Sequence, residues 1–306
     1  MNLTISADNA ARLTEIARTT CGFITEIAWS PDGSTLTVAH GGGVRLWQGG
    51  FGGAHAHARR AHRAGQGRCL QPRQPPDRHR QLGRERAPVG CRDRAAARRA
   101  ARAYRCRQCR RLQPDGRWLA SGGADRRVVL VDLASRARNR RFRRAQRRDH
   151  QRRFAQESVL ASGGWDGEVR LMVSPRQRER AVIALGDWVR HLAASPDGST
   201  LAAACKDGTL RLIDASGGRV TRAIPAHERG TDAVAFSPDG SLLVSGGRDN
   251  MIRLWNLRDP SDAPLVMLPG HAKPVLAVAF HPLGSLIVSG GGDNTVRLWG
   301  VGDQAT

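Results

Sequence analysis

Apolar and polar residues follow a short-range rhythm over most of the second half of the chain. MIRLWN (251–256) alternates apolar and polar positions, the period-two signature of a half-buried strand. DAVAF (232–236), SLLVSGG (241–247) and APLVML (263–268) are short apolar runs bounded by turn residues. The turn after DAVAF is Ser-Pro-Asp-Gly. Its proline presets φ, its aspartate caps the turn, and its glycine supplies a positive φ. The turn after SLLVSGG carries a Gly-Gly-x-Asp pattern. Together these predict a unit of four strands joined by tight turns.

The unit repeats. SPDGSTL occurs at 30–36 and 195–201, SPDGSLL at 237–243, and the variants QPDGRWL and HPLGSLI at 113–119 and 281–287. A second series, SGGADRRVVLVD from Ser121, SGGWDGEVRLMV from Ser162, SGGRDNMIRLWN from Ser245 and SGGGDNTVRLWG from Ser289, repeats with it. ACKDGTLRLID from Ala204 and HGGGVRLWQ from His40 are looser copies. The third residue of the first series falls at 32, 115, 197, 239 and 283, in steps of 83, 82, 42 and 44. Two steps are double the others. Repeats missing near 73 and 156 would complete seven units with the period of a β-propeller blade. The predicted fold is all-β: a seven-bladed β-propeller of four-stranded antiparallel blades, forming a single domain over 1–306. Stacking the units around a ring covers sheet faces that would otherwise be wet.

The closing geometry is also predictable. The last unit ends at Trp299 after three strands, and the residues beyond it are too short and polar for a fourth. RLTEIA (12–17) is strand-like and precedes the first unit. It is expected to supply the outer strand of the last blade and so remove an open edge.

These residues resemble the WD40-repeat family. The likeness is strongest over 187–299 and covers most of 21–47 and 113–133. In that family a His before the first strand, a Ser or Thr in the second, an Asp in the following turn and a Trp in the third form a hydrogen-bonded set. Two repeats carry the full set: His227, Ser245, Asp249, Trp255 and His271, Ser289, Asp293, Trp299. His and Trp are 28 residues apart in both, and Asp and Trp 6. Elsewhere Val131, Met172 and Ile213 replace the Trp, and Gly41 stands at the Asp position of the first repeat. The resemblance implies a structural role for the set, a satisfied buried polar network, and not a catalytic triad.

Charge changes the picture of the first half. The formal net charge is +22. Residues 50–111 hold 18 Arg and 3 acids, and residues 134–156 hold 10 Arg and 1 acid, so the rest of the chain nets −2. Lys206 and Lys273 are the two lysines of the chain. Both windows are unpatterned and fall on the missing repeats, so blades 2 to 4 are expected to be partly disrupted. The double periods are ordinary, so the windows replace propeller residues and do not extend them. Compensated frameshifts in a GC-rich gene would produce this. The rival reading makes the windows nucleic-acid arms that bind phosphate through charge. With Phe142 and Phe154 as the aromatics of 136–154, stacking support for that is thin. Membrane binding is not expected.

No phosphate loop, HExxH or GxSxG is present. No catalytic, cofactor-binding or metal-binding residues are expected. Cys106 and Cys109 form a lone CxxC, and neither Cys69 and Cys91 nor His55, His57, His62 and His79 complete a zinc pattern. The start of the chain lacks a basic region followed by an apolar run, and no stretch approaches about 18 apolar residues. A soluble, cytoplasmic, monomeric protein is expected.

The resemblance implies a non-catalytic protein–protein interaction scaffold. The alternatives are a regulatory or sensing propeller of a larger signalling protein, nucleic-acid binding through the arginine tracts, and a non-functional frameshifted product. In the family the residue before the turn Asp often faces the partner. Those positions are Ala124, Trp165, Lys206, Arg248 and Gly292. Trp165 and Arg248 are residue types enriched at interface hot spots. Trp188 aligns with Gly230 and opens a first strand near the same face. A Trp in such a loop can equally pack on a neighbouring blade.

The frameshift reading is checked in the coding DNA. The other frames of the two windows should encode S-P-D-G near residue 73 and an apolar strand near residue 150. Their absence from both frames would refute it.

Overall fold

In the computed structural model, which describes residues 3–48, 59–61, 109–112, 118–122, 128–132, 149–156, 159–173 and 178–302, the regular structure is β apart from one 3-10 turn at Ala10–Arg12. The chain begins with β1 (Leu13–Thr20). A first sheet contains β2 (Ile24–Trp29), β3 (Thr35–His40), β4 (Gly43–Gln48) and β5 (Arg59–Ala61). A second contains β6 (Cys109–Leu112), β7 (Trp118–Gly122) and β8 (Val128–Asp132). A third contains β9 (Asp149–Gln156), β10 (Val159–Gly164), β11 (Glu168–Val173) and β12 (Arg178–Ala184). A fourth contains β13 (Val189–Ala194), β14 (Thr200–Cys205), β15 (Thr209–Asp214) and β16 (Arg219–Pro225). A fifth contains β17 (Thr231–Phe236), β18 (Leu242–Gly247), β19 (Ile252–Asn256) and β20 (Val266–Leu268). The last contains β21 (Val275–Phe280), β22 (Leu286–Gly291) and β23 (Thr295–Val301), with β1 as its fourth strand.

Local chemistry explains the first turn of each unit. In the turns at 30–33, 195–198 and 237–240 the serine hydroxyl donates to the aspartate two residues on, at 2.5 Å. The glycine amide donates back to the serine carbonyl at 2.8–3.0 Å. The glycines Gly33, Gly198 and Gly240 have φ of 69°, 70° and 75°, a region that side chains avoid. In the last unit Leu283 replaces the aspartate, and the Nδ1 of His281 accepts the Leu283 amide at 3.1 Å instead. That histidine also reaches the first sheet, where its Nε2 lies 3.2 Å from the Gly33 carbonyl.

Packing explains the repeated glycines of the second strands. A Cβ on Gly163 would lie 2.7 Å from Val189, on Gly246 2.6 Å from Val275, and on Gly290 2.7 Å from Ile24. Each of these partners opens the first strand of the neighbouring sheet. The glycine is therefore the gap into which the next blade inserts. β14 carries Ala204 at this position, and its neighbour β17 opens on Thr231.

First strands adjoin in order: β6 with β9, β9 with β13, β13 with β17, β17 with β21, and β21 with β2. The last sheet thus packs on the first, through Gly290 against Ile24 and Ile27. The seam between chain ends is sealed by β1, which pairs antiparallel with β23 from Leu13↔Val301 to Thr20↔Thr295. Arg12 donates to the Gly302 carbonyl at 2.8 Å, and Arg297 forms an ion pair with Glu15 of β1. The sheet interiors are dry. Leu160, Leu171, Leu192, Leu201, Leu210 and Leu242 are at most 1% exposed.

The expectation of seven blades meets six sheets among the described residues. Residues 62–108, where blade 2 would lie, are outside them. The windows 50–111 and 134–156, Arg-rich and unpatterned in sequence, nevertheless contribute strands. β5, much of β6 and all of β9 fall inside those windows. β9 pairs with β10 over Val159↔Gln156 to Gly164↔Asp149 and takes the first-strand place of its sheet. The physical reason is that ladder bonds are made by the backbone. β10 is buried along its whole length, so its amides and carbonyls require a strand on each side whatever side chains that strand carries. The rest of both windows, 50–58, 62–108 and 134–148, lies outside the described residues. No helix among the described residues is long and apolar enough to cross a membrane.

Candidate functional site

Two four-residue sets occupy the last two sheets with the same geometry. In the fifth sheet the Trp255 Nε1–H donates to Ser245 Oγ at 2.9 Å, and Ser245 Oγ lies 2.8 Å from His227 Nε2. His227 Nδ1 lies 2.8 Å from Asp249 Oδ1. In the last sheet Trp299 donates to Ser289 Oγ at 2.9 Å, Ser289 meets His271 Nε2 at 2.8 Å, and His271 Nδ1 is 3.1 Å from both Asp293 oxygens. One proton per link satisfies the chain: indole N–H to hydroxyl, hydroxyl to Nε2, Nδ1–H to carboxylate. This requires a neutral imidazole protonated at Nδ1.

Burial supports that state. Both histidine side chains are fully covered. Desolvation pushes His227 down from 6.5 to about 4, against the opposing pull of Asp249. His271 is lowered for the same reason. Burial works against the charge on Asp249, but hydrogen bonds from Arg253 and His227 outweigh it and hold the carboxyl below its ordinary range. Asp293 is likewise held down, by Thr295 and the Ala272 amide.

Ser, His and Asp in this order have the connectivity of a hydrolytic triad. The arrangement cannot work as one. Ser245 and Ser289 are 0% exposed, and each oxygen already accepts an indole N–H. Among the described residues no group of three or more His, Cys, Asp or Glu could hold a metal. Cys106 lies outside the described residues, while Cys21 and Cys205 are buried and unpaired.

The fourth sheet fills the same place with a different chemistry. Its Leu185, Ala203 and Ile213 stand where the fifth has His227, Ser245 and Trp255, and all three are buried. The backbone equivalence is direct, since Leu185 N donates to Gly167 O as His227 N donates to Gly208 O. Asp207 remains but turns to Thr209 and Arg211, at 2.7 and 2.6 Å. Removing all three polar partners together leaves none stranded, which is the cheap way to lose a buried network. In the first sheet Val38 takes the serine position, opposite Arg45 as Ser245 is opposite Arg253.

The remaining predicted residues gather on one rim. In an antiparallel four-stranded sheet the turn from second to third strand and the connection into the first strand lie at the same end. Trp165, Lys206, Arg248 and Gly292 sit in such turns, and Trp188 and Gly230 in such connections. The two groups are tied together: Lys206 N donates to Trp188 O, Arg248 N to Gly230 O and Gly292 N to Pro274 O, at 2.8–2.9 Å. Gly41 N donates to Phe23 O in the same way, which places Phe23, 56% exposed, on this rim. Ala124 lies outside the described residues.

Trp165 and Trp188 stack, with ring centroids 4.7 Å apart and planes 7° from parallel. Trp165 therefore packs on its neighbour, and both rings stay half-buried. The Lys206 ammonium lies 4.5 Å from the Trp188 centroid, a cation–π contact. Beside them Asp232 is shared between Arg190 and Arg248, the latter at 3.0 Å. Sequence reading missed Arg190, Asp232 and Phe23. The signal for the first two is structural: the ladder skips a residue near the start of β2, β13, β17 and β21, at Thr25, Arg190, Asp232 and Leu276. Such bulges re-aim a side chain without leaving an obvious mark in the sequence.

Comparison with known proteins agrees with this architecture. The model for the WD domain, G-beta repeat, matches residues 13–48, 105–132, 218–256 and 263–300. The model for the anaphase-promoting complex subunit 4 WD40 domain matches 166–234. An uncharacterized WD repeat-containing protein of Synechocystis sp. is 29% identical over 132 residues, 41% of this chain. The match spans 36% of that relative's length.

The histidines make stability depend on pH in a defined direction. As pH falls from about 6.5 to about 4, the unfolded chain binds protons at His227 that the native chain refuses. Native stability should therefore fall across that window, by about 3 kcal/mol for His227. Below it the lowered Asp249 and Asp293 extend the loss. Urea unfolding at several pH values measures this, and a stability that rises on acidification would contradict it.

Proposed function

Because the chain belongs to the WD40-repeat family, we propose that it is a non-catalytic scaffold, a seven-bladed ring that docks other proteins on the rim carrying Trp165, Trp188, Lys206 and Arg248. The observation that carries this reading is the division of polar groups. The serines and histidines of the two Ser–His–Asp sets are buried inside the last two sheets. The stacked tryptophans and the exposed cations Lys206 and Arg248 are instead brought together on one outer edge. Trp and Arg in such a position are the residue types that dominate interface energies. The fold itself names no partner, since the loops set specificity. In this reading the protein acts as a monomer in the cytoplasm.

The test is capture from a lysate of the native host by the immobilised chain, with and without nuclease. The double variant Trp165→Ala, Arg248→Ala should melt as the parent does and lose about ten-fold of the retained protein. Undiminished capture by the variant, or capture abolished by nuclease, would contradict the proposal.

A further inference from the structure

Building on the reading of this rim as a docking surface, we propose that its partner is an acidic protein segment, with a carboxylate seated against Arg248 and Lys206 and an adjacent apolar side chain resting on the Trp165–Trp188 pair. Four observations converge. Arg248 is 45% exposed and uses its Nε to hold both oxygens of Asp232. Among the described residues its two terminal amino groups meet no acceptor, so the guanidinium turns an unfilled edge outward. That edge matches a carboxylate in a bidentate fork. Lys206 is exposed and pairs with no carboxylate among the described residues; its ammonium rests on Trp188.

Between the two cations stands a glycine. Gly230 occupies the position that Trp188 holds in the sheet before, and it has φ of 115°. A Cβ there would lie 2.9 Å from the Lys206 carbonyl and 3.6 Å from Arg248 Cδ. The backbone at Gly230 therefore packs closely against that of Lys206, and brings Arg248 on one side near Lys206 and the tryptophan pair on the other.

The nearby acids are already engaged. Asp207 is held by Thr209 and Arg211, and Asp249 by His227 and Arg253. Asp232 lies beneath Arg248 and bonds Arg190 as well. Asp207 and Asp249 face their own turns, and Asp232 divides one negative charge between Arg190 and Arg248, so the outward cations are only partly compensated. Stacked aromatics beside cations would also suit a single-stranded nucleic acid. Yet acids recur along this rim, at Asp166, Asp187, Asp207 and Glu228, and a continuous phosphodiester would meet each of them. A peptide carrying one or two carboxylates between apolar residues avoids that conflict.

The test uses the full chain and three short synthetic peptides read by fluorescence anisotropy at physiological salt. One interleaves Glu with Trp and Leu, one replaces each Glu by Gln, and one replaces each Trp and Leu by Ser. The arginine-rich windows also attract acids, so the readout is the difference between the parent and the double variant Lys206→Glu, Arg248→Glu. The first peptide should bind at least about ten-fold more tightly than either other peptide. The double variant should lose that preference. Arg258→Glu, in the connection between third and fourth strands at the opposite end of its sheet, should keep it. Loss of folding is checked by the melting curve, and Arg248→Gln provides a neutral variant that should show part of the loss.

Equal binding of the Glu and Gln peptides, or binding indifferent to the charge reversal, overturns the acidic partner. The docking reading then stands or falls on Trp165→Ala alone: weakened binding of any of the peptides retains the rim as a surface, and unchanged binding removes both. Single-stranded DNA competing at the same residues would also overturn the proposal.

Discussion

A four-stranded sheet that is apolar on both faces is not stable alone in water, and among the described residues the sheets cover one another's faces. The contact that permits this is small and repeated. A second-strand glycine faces the opening residue of the next first strand at Gly163 and Val189, Gly246 and Val275, and Gly290 and Ile24. Side chains at these glycines would push the sheets apart. The serine–aspartate turns, the buried leucines and the closing strand β1 all presuppose that the sheets approach this closely.

Inside that framework the chain fills equivalent interior positions in two ways. The fifth and last sheets use a hydrogen-bonded set in which every donor finds one acceptor. The fourth uses Leu185, Ala203 and Ile213. Both are complete solutions. A half-filled set would strand a buried group. The polar version ties sheet geometry to the protonation of histidine, whereas the apolar version does not. The aspartate of the fourth sheet, released from a histidine, holds its own turn while Lys206 beside it lies over Trp188. Interior chemistry and rim chemistry are thus linked at adjacent residues.

Much of this was legible because turns and strand periods are local. Ser-Pro-Asp-Gly announces itself in four letters, and two copies of His, Ser, Asp and Trp at equal spacing fix their own alignment. The rim positions Trp165, Lys206 and Arg248 followed from that alignment. The bulges that bring Arg190 and Asp232 to the same edge did not, because a skipped ladder residue is a matter of register between strands. The strand at 149–156 was hidden for the complementary reason. Its side chains give no strand pattern, and it is placed by the backbone needs of Val159–Gly164 beside it. The stacking of Trp165 on Trp188 depends on two sheets being adjacent, which neither residue's neighbours in sequence report.

The mutual covering of sheets is tested most directly by urea unfolding of Gly246→Leu beside Gly41→Ala. A Cβ at Gly246 would sit 2.6 Å from Val275, whereas one at Gly41 meets nothing within 4 Å. The account requires a loss of about 1–3 kcal/mol or more at Gly246 and a change within about 0.5 kcal/mol at Gly41. A Gly246→Leu protein as stable as its parent would contradict it.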